Sequence, residues 1–196
     1  MEGIEIFMLS TLITTITFIW IAFEISLVVR DRIQGKGRTG NDRGTRYFNF
    51  IAIFVGITVA GVLSGNTRFF FLGSWSNTVF WIGLFIIVLG FILRIWSVVT
   101  LGALFRTTIE THTGQHVVRN GPYRLVRHPS YSGGLLMCFG YGIAFQNWLS
   151  LAFAVLLPLA AFVYRIHFEE AALVSSIGSD YIRYQSETKK LIPWIW

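Results

Sequence analysis

Five runs of apolar residues decide what this chain can become. The first, Ile4–Val29, is about 25 residues long, enough at about 1.5 Å per residue to cross ~30 Å of hydrocarbon. Tyr47–Leu63, Thr78–Val99, Tyr131–Phe145 and Leu149–Tyr164 follow. Inside lipid a backbone must satisfy its own N–H and C=O groups, so each run is expected to be a helix. Only Gln146-Asn147-Trp148 separates the last two, which implies an antiparallel helical hairpin whose arms are short for a full crossing. Charged residues make up 13% of the 196, against about a quarter in soluble domains. The expectation is an all-α integral membrane protein with five transmembrane helices and no separate soluble domain. Residues 1–100 would supply three of them, and 101–196 a polar loop, the hairpin and a C-terminal helix, in one integrated domain.

Lys and Arg set the orientation. Six fall in the loop after the first run (Arg30, Arg32, Lys36, Arg38, Arg43, Arg46), four in the loop after the third (Arg106, Arg119, Arg124, Arg127) and four from Arg165 onward. The opposite side holds Arg68 alone. Basic loops stay cytoplasmic, so the N-terminus is expected outside and the C-terminus inside. The formal charge of +6 is thus an orientation signal and gives no ground for nucleic-acid binding. The apolar run at the N-terminus reads as a span rather than a cleavable leader. Cys138, the single cysteine, excludes an internal disulfide or a cysteine-rich metal site. His112-x-x-x-His116 has helical metal-ligand spacing but no supporting third ligand, and one His167/Glu170 pair is insufficient, so no metal is expected.

Within this frame Gly121-Pro-Tyr-Arg-Leu-Val-Arg-His-Pro-Ser-Tyr131 stands out. Pro122 and Pro129 each lack a backbone donor and fix φ, so the segment is not a plain helix. A stiffened backbone carrying two arginines, a histidine and two tyrosines at a membrane edge points to a site. Glu24, Arg94 and Arg165 are ionisable residues within or at the ends of apolar runs, and such residues are functional suspects. Glu24 and Arg94 are able to pair across helices or to reach the headgroups. Arg165 and Glu169, at i and i+4, share a helix face, with Glu170 beside them.

The closing third then reads as one pattern: Gly121-Pro122-Tyr123, Arg127-His128-Pro129-x-Tyr131-x-Gly133, Arg165-x-x-x-Glu169-Glu170, Gly178-x-x-Tyr181-x-x-Tyr184 and Leu191-Ile192-Pro193. Across about residues 116 to 193 it resembles the isoprenylcysteine carboxyl methyltransferases and, more broadly, the phospholipid methyltransferase-like membrane enzymes. The Arg-His-Pro-x-Tyr element and the acidic pair also occur in membrane sterol reductases. The resemblance implies S-adenosyl-L-methionine held between a cytoplasmic loop and the C-terminal helix. His128, Arg127 and Tyr131 would serve its carboxylate, with Tyr123 alongside. Glu169 and Glu170 would serve its ammonium, and His116, Val117, Val118, Tyr181 and Leu191 would enclose its adenine. Arg165 and Glu169 are the expected catalytic residues, Arg165 orienting the carboxylate of a lipid or prenylated acceptor. Membrane lipid is the expected surrounding, and no obligate protein partner is inferred. Three other readings stand beside this one: a phospholipid amine N-methyltransferase, an NADPH-dependent lipid reductase and a non-enzymatic scaffold.

Overall fold

The computed structural model describes residues 2–34, 45–65, 76–107 and 116–196. Its order is α1 (Glu2–Ile33), α2 (Thr45–Ser64), α3 (Asn77–Leu101), 3₁₀ turns at Gly102–Leu104 and Gly121–Arg124, α4 (Pro129–Ala144), α5 (Trp148–Ile177) and α6 (Ser179–Glu187). No strand occurs among the described residues; a single parallel bridge joins Val126 and Lys189. The basic stretch at 35–44, Arg68 and His112 lie outside the described residues.

The first 39 residues form a unit of their own. In it α1 continues a turn past Val29, through Asp31, whose carboxylate lies 3.1 Å from the Arg30 guanidinium. Glu24 is buried and accepts from Trp20 Nε1 at 2.9 Å, one turn earlier on the same helix.

The second unit, Gly40–Trp196, holds the motifs. Two seams organise it. Between α3 and α4 the backbones nearly touch. A Cβ on Gly90 would sit 2.7 Å from the Gly133 carbonyl, and one on Gly140 would sit 2.7 Å from the Ile87 nitrogen. Small residues thus replace side-chain bulk along the seam, as helices without a hydrophobic driving force between them require. Between α2 and α5, a Cβ on Gly56 would meet the Phe153 carbonyl at 2.9 Å, and Ser150 Oγ donates to the Ala60 carbonyl at 2.6 Å.

The connection from α4 to α5 is Phe145–Asn147, one residue earlier than the expected Gln146–Trp148 because Trp148 already opens α5, and it does more than turn the chain. Asn147 Oδ1 accepts from the backbone of Leu149 and Ser150, capping α5, while its Nδ2 donates to Leu63 at the end of α2. Gln146, at φ 55°, exchanges two bonds with the backbone of Ser76 at the start of α3. Both side chains are buried, so this end of the unit is tied by amides.

Helix α5 departs from expectation. It does not stop at Tyr164 but runs 30 residues to Ile177, about 45 Å. Nothing between Asn147 and Gly178 breaks it. Pro158 removes one donor without ending the helix, its ring against Gly56 of α2. Gly178, at φ 74°, ends it by bonding back to Val174. Arg165, Glu169 and Glu170 therefore stand on the second half of a spanning helix rather than on a separate C-terminal one. Among the described residues four helices are long and apolar enough to cross a membrane: α1, α2, α3 and α5. The fifth expected span, α4, has 16 residues, about 24 Å, and does not reach that length.

Candidate active site

Pro129 occupies the first turn of α4, where a missing N–H costs nothing, so the helix begins two residues before Tyr131. Pro122 does the same for the 3₁₀ turn at Gly121–Arg124. Between them Val126, Arg127 and His128 run beside the C-terminal segment and pair with it. Arg127 N donates to Lys189 O at 2.8 Å, and His128 N to Lys190 O at 3.0 Å. Ser132 Oγ adds a bond to Leu191 O at 2.6 Å. Tyr184 of α6 donates to the carbonyl of Tyr123 at 2.6 Å. The stiff stretch noted in the sequence is thus a rail that docks α6 and its tail.

On this rail the acidic pair of α5 divides. Glu170, buried, takes Arg127 Nε at 2.7 Å and His128 Nε2 at 3.2 Å on one oxygen, with Lys190 Nζ 3.8 Å from the other. Arg127 also donates to the Gln185 carbonyl in the last turn of α6 and to that of Thr188, just past its end. A buried carboxylate is held only with such partners. Glu169, its side chain 30% exposed, has a different company: Tyr131 Oη donates to it at 2.8 Å, and His128 Nδ1 is 4.0 Å away.

Tyr131 links Glu169 to Arg165, whose Nε donates to the same hydroxyl at 2.6 Å. The guanidinium of Arg165 is buried and reaches Thr45 Oγ1 at the start of α2 (3.2 Å) and the Thr107 carbonyl beyond α3 (2.8 Å). Arg94 of α3 donates to the Ser130 hydroxyl at 2.7 Å and to its carbonyl at 3.2 Å, fixing the first turn of α4.

Of the residues singled out in the sequence, Arg127, His128, Tyr131, Arg165, Glu169 and Glu170 form one cluster. Leu191 is buried under it with Phe162 and Ile166. Tyr123 is buried, its hydroxyl 3.4 Å from the Ser97 carbonyl. Tyr181 is buried too, and its hydroxyl has no hydrogen-bond partner. Burial, and then the carboxylates of Glu170 and Glu169, push that hydroxyl well above the usual tyrosine range, so it stays a proton donor. His116 is exposed and Val117 and Val118 half-buried; among the described residues no hydrogen bond or ion pair joins them to the cluster. Thr45, Thr107, Ser130 and Lys190 were not legible as site residues. Each lies far from its partner in sequence, and none belongs to a residue type or spacing that marks a site.

The phospholipid methyltransferase family model matches residues 78–179, which takes in α3, the rail, α4 and all of α5. The chain belongs to that family. It is 34% identical over 117 residues to a probable protein-S-isoprenylcysteine O-methyltransferase of Oryza sativa subsp. indica, across 59% of this chain and 61% of that protein. It is 35% identical over 116 residues to protein-S-isoprenylcysteine O-methyltransferase B of Arabidopsis thaliana, across 58% of each. Among solved structures, the eukaryotic intramembrane Ras methyltransferase ICMT superposes with a TM-score of 0.60 at 27% identity, over 75% of this chain and 51% of that one. The chain therefore spans under two thirds of the curated relatives it matches. The resemblance read from the motifs is borne out at the level of the family.

Proposed function

We propose that the protein is an S-adenosylmethionine-dependent membrane methyltransferase that esterifies the carboxylate of a lipid-linked acceptor of the isoprenylcysteine type. The observation that carries this is the chain Arg165–Tyr131–Glu169, which joins a buried guanidinium to an accessible carboxylate through one hydroxyl. A carboxylate acceptor is matched by the guanidinium, and the ammonium of a methionine-derived cofactor by Glu169.

The residues present fit that cofactor. Glu170 is already neutralised by Arg127 and Lys190 and bonded to the His128 ring, which leaves Glu169 as the carboxylate for a cationic ligand. The unpaired Tyr181 hydroxyl supplies a donor close enough to the acidic pair to feel both charges. When bound, the cofactor supplies an electrophilic methyl on a sulfonium. The chain's own work is placement. Arg165 orients the attacking carboxylate, ionised at neutral pH since its ordinary pKa is about 3.5, so no strong base is needed. Burial of Arg165 excludes water from that carboxylate. An amine acceptor would meet repulsion from Arg165 and would need a base, whereas Glu170 is held by its cations. The Lys/Arg distribution supports a cytoplasmic site with the N-terminus outside, and α4 with α5 forming a hairpin that completes a five-helix arrangement.

The test is calorimetric titration of the purified protein with S-adenosylhomocysteine and with NADPH, followed by labelled methyl transfer to N-acetyl-S-farnesylcysteine. Arg165→Ala should bind S-adenosylhomocysteine within about threefold of wild type and lose turnover by 10²-fold or more. Binding of NADPH alone would sink the proposal.

A further inference from the structure

Helix α2 faces α5 along one stripe. Thr45 meets Arg165, Gly56 meets Phe153 and Pro158, and Ala60 meets Ser150. At 3.6 residues per turn these three α2 positions fall within an arc of about 60°. Asn49 lies inside the same arc, one turn beyond Thr45. The antiparallel register that pairs Thr45 with Arg165 and Ala60 with Ser150 sets Asn49 opposite Ala161, one turn before Arg165 on α5. Ala161 is fully buried and offers no side-chain donor.

Asn49 is 8% exposed, and its Oδ1 has no hydrogen-bond partner. A buried amide oxygen left unpaired is costly, and more so in a membrane-spanning helix, where water does not compensate. Every other polar side chain named on this stripe is engaged: Thr45 by Arg165, Ser150 by Ala60. An acceptor oxygen held one turn from the guanidinium, facing a residue with no bulk, is the arrangement that reads an N–H beside a carboxylate.

We propose that Asn49 is a specificity residue whose Oδ1 accepts from the amide N–H adjoining the acceptor's carboxylate, with Ala161 leaving the space for it. The inference rests on the reading of the protein as a carboxylate methyltransferase with Arg165 at the acceptor. An acylated amino acid carries an N–H and a carboxylate on the same carbon, so one ligand spans both groups. A fatty or thioether acid of equal length, lacking the amide, leaves Asn49 unpaired and binds less well.

Two acceptors separate the possibilities: N-acetyl-S-farnesylcysteine, and S-farnesylthiopropionate, which keeps the tail and the carboxylate but not the amide. Wild type should favour the first in kcat/KM by about tenfold, the ordinary worth of a hydrogen bond to a buried polar group that is otherwise unpaired. Asn49→Leu should bring the ratio to within about twofold of unity while S-adenosylhomocysteine affinity holds. Ala161→Ser places a hydroxyl opposite the carboxamide and should lower the ratio without touching Asn49, which covers the case of an Asn49→Leu protein that fails to fold. Equal losses on both acceptors in either variant, or no preference in wild type, would overturn the role of Asn49 and leave the methyltransferase reading intact. Methylation of neither acceptor by wild type would instead overturn that reading, and this inference with it.

Discussion

Gly133 and Gly134 are neighbours on α4, yet the same substitution should act on them in opposite ways. In an open helix, glycine to alanine stabilises by about 1 kcal/mol. At Gly134 a new Cβ would lie 3.3 Å from the end of the Phe162 ring, which needs to give by only a few tenths of an ångström. At Gly133 the Cβ would lie 2.7 Å from the Gly90 carbonyl and 2.8 Å from the Arg94 nitrogen, both backbone atoms of α3. No side chain there can turn aside, so α4 must move. Overpacking of this kind costs about 1–3 kcal/mol, and backbone on both sides places Gly133 at the upper end. The net expectation is a loss of about 1–2 kcal/mol for Gly133→Ala and a change within about 0.5 kcal/mol for Gly134→Ala. The displaced turn of α4 also carries Ser130, which Arg94 holds, and follows directly on His128. Gly133→Ala should therefore lower turnover as well as the melting temperature, read by thermal unfolding in detergent and by labelled methyl transfer on the same preparation. Equal melting temperatures for the two variants would refute the close approach of α3 and α4 and, with it, the placement of the rail.

Three further outcomes follow from the cluster. Glu170→Gln leaves Arg127 and His128 buried without their carboxylate and should destabilise by about 3–5 kcal/mol in thermal or denaturant unfolding. Glu169→Gln, at a partly exposed carboxylate, should change unfolding by under about 1 kcal/mol while weakening S-adenosylhomocysteine binding in calorimetry by about tenfold. Tyr184→Phe removes the bond to the Tyr123 carbonyl and should cost about 1 kcal/mol, with α6 exchanging its amide hydrogens faster.

The sequence made the membrane helices legible because hydropathy records the solvent each run must face. The six clustered site residues were legible because their types and spacings are chemically unusual. Three things were hidden. The end of α5 is one, because polarity begins at Arg165 while the backbone breaker comes only at Gly178, and a helix keeps its backbone bonds when it leaves the lipid. The amide knot of Gln146 and Asn147 looked like a turn because its partners, Ser76 and Leu63, are about 70 and 84 residues away. The third was Thr45, an unremarkable residue until the fold brings it to Arg165.

The acidic pair carries the sharpest lesson about what spacing alone conveys. Adjacent residues on a helix differ by about 100° in direction, so Glu169 and Glu170 were bound to face different surroundings. Which would be structural depended on where the rail lay. Because Val126–His128 pairs with Lys189 and Lys190, Arg127, Lys190 and the His128 ring converge on Glu170. Glu169 is turned instead toward Tyr131, and through it toward Arg165. Tyr131→Phe isolates that second connection without removing either charge. It deletes a hydroxyl that accepts from the guanidinium and donates to the carboxylate, so the two groups lose their common register while Glu170 and its cations stay as they are. Turnover should fall by about 10²-fold, the ordinary cost of misplacing a positioned group by an ångström, with S-adenosylhomocysteine affinity changed by less than fivefold. If affinity collapses together with turnover, the hydroxyl belongs to the cofactor's own site, and the link to Arg165 is incidental.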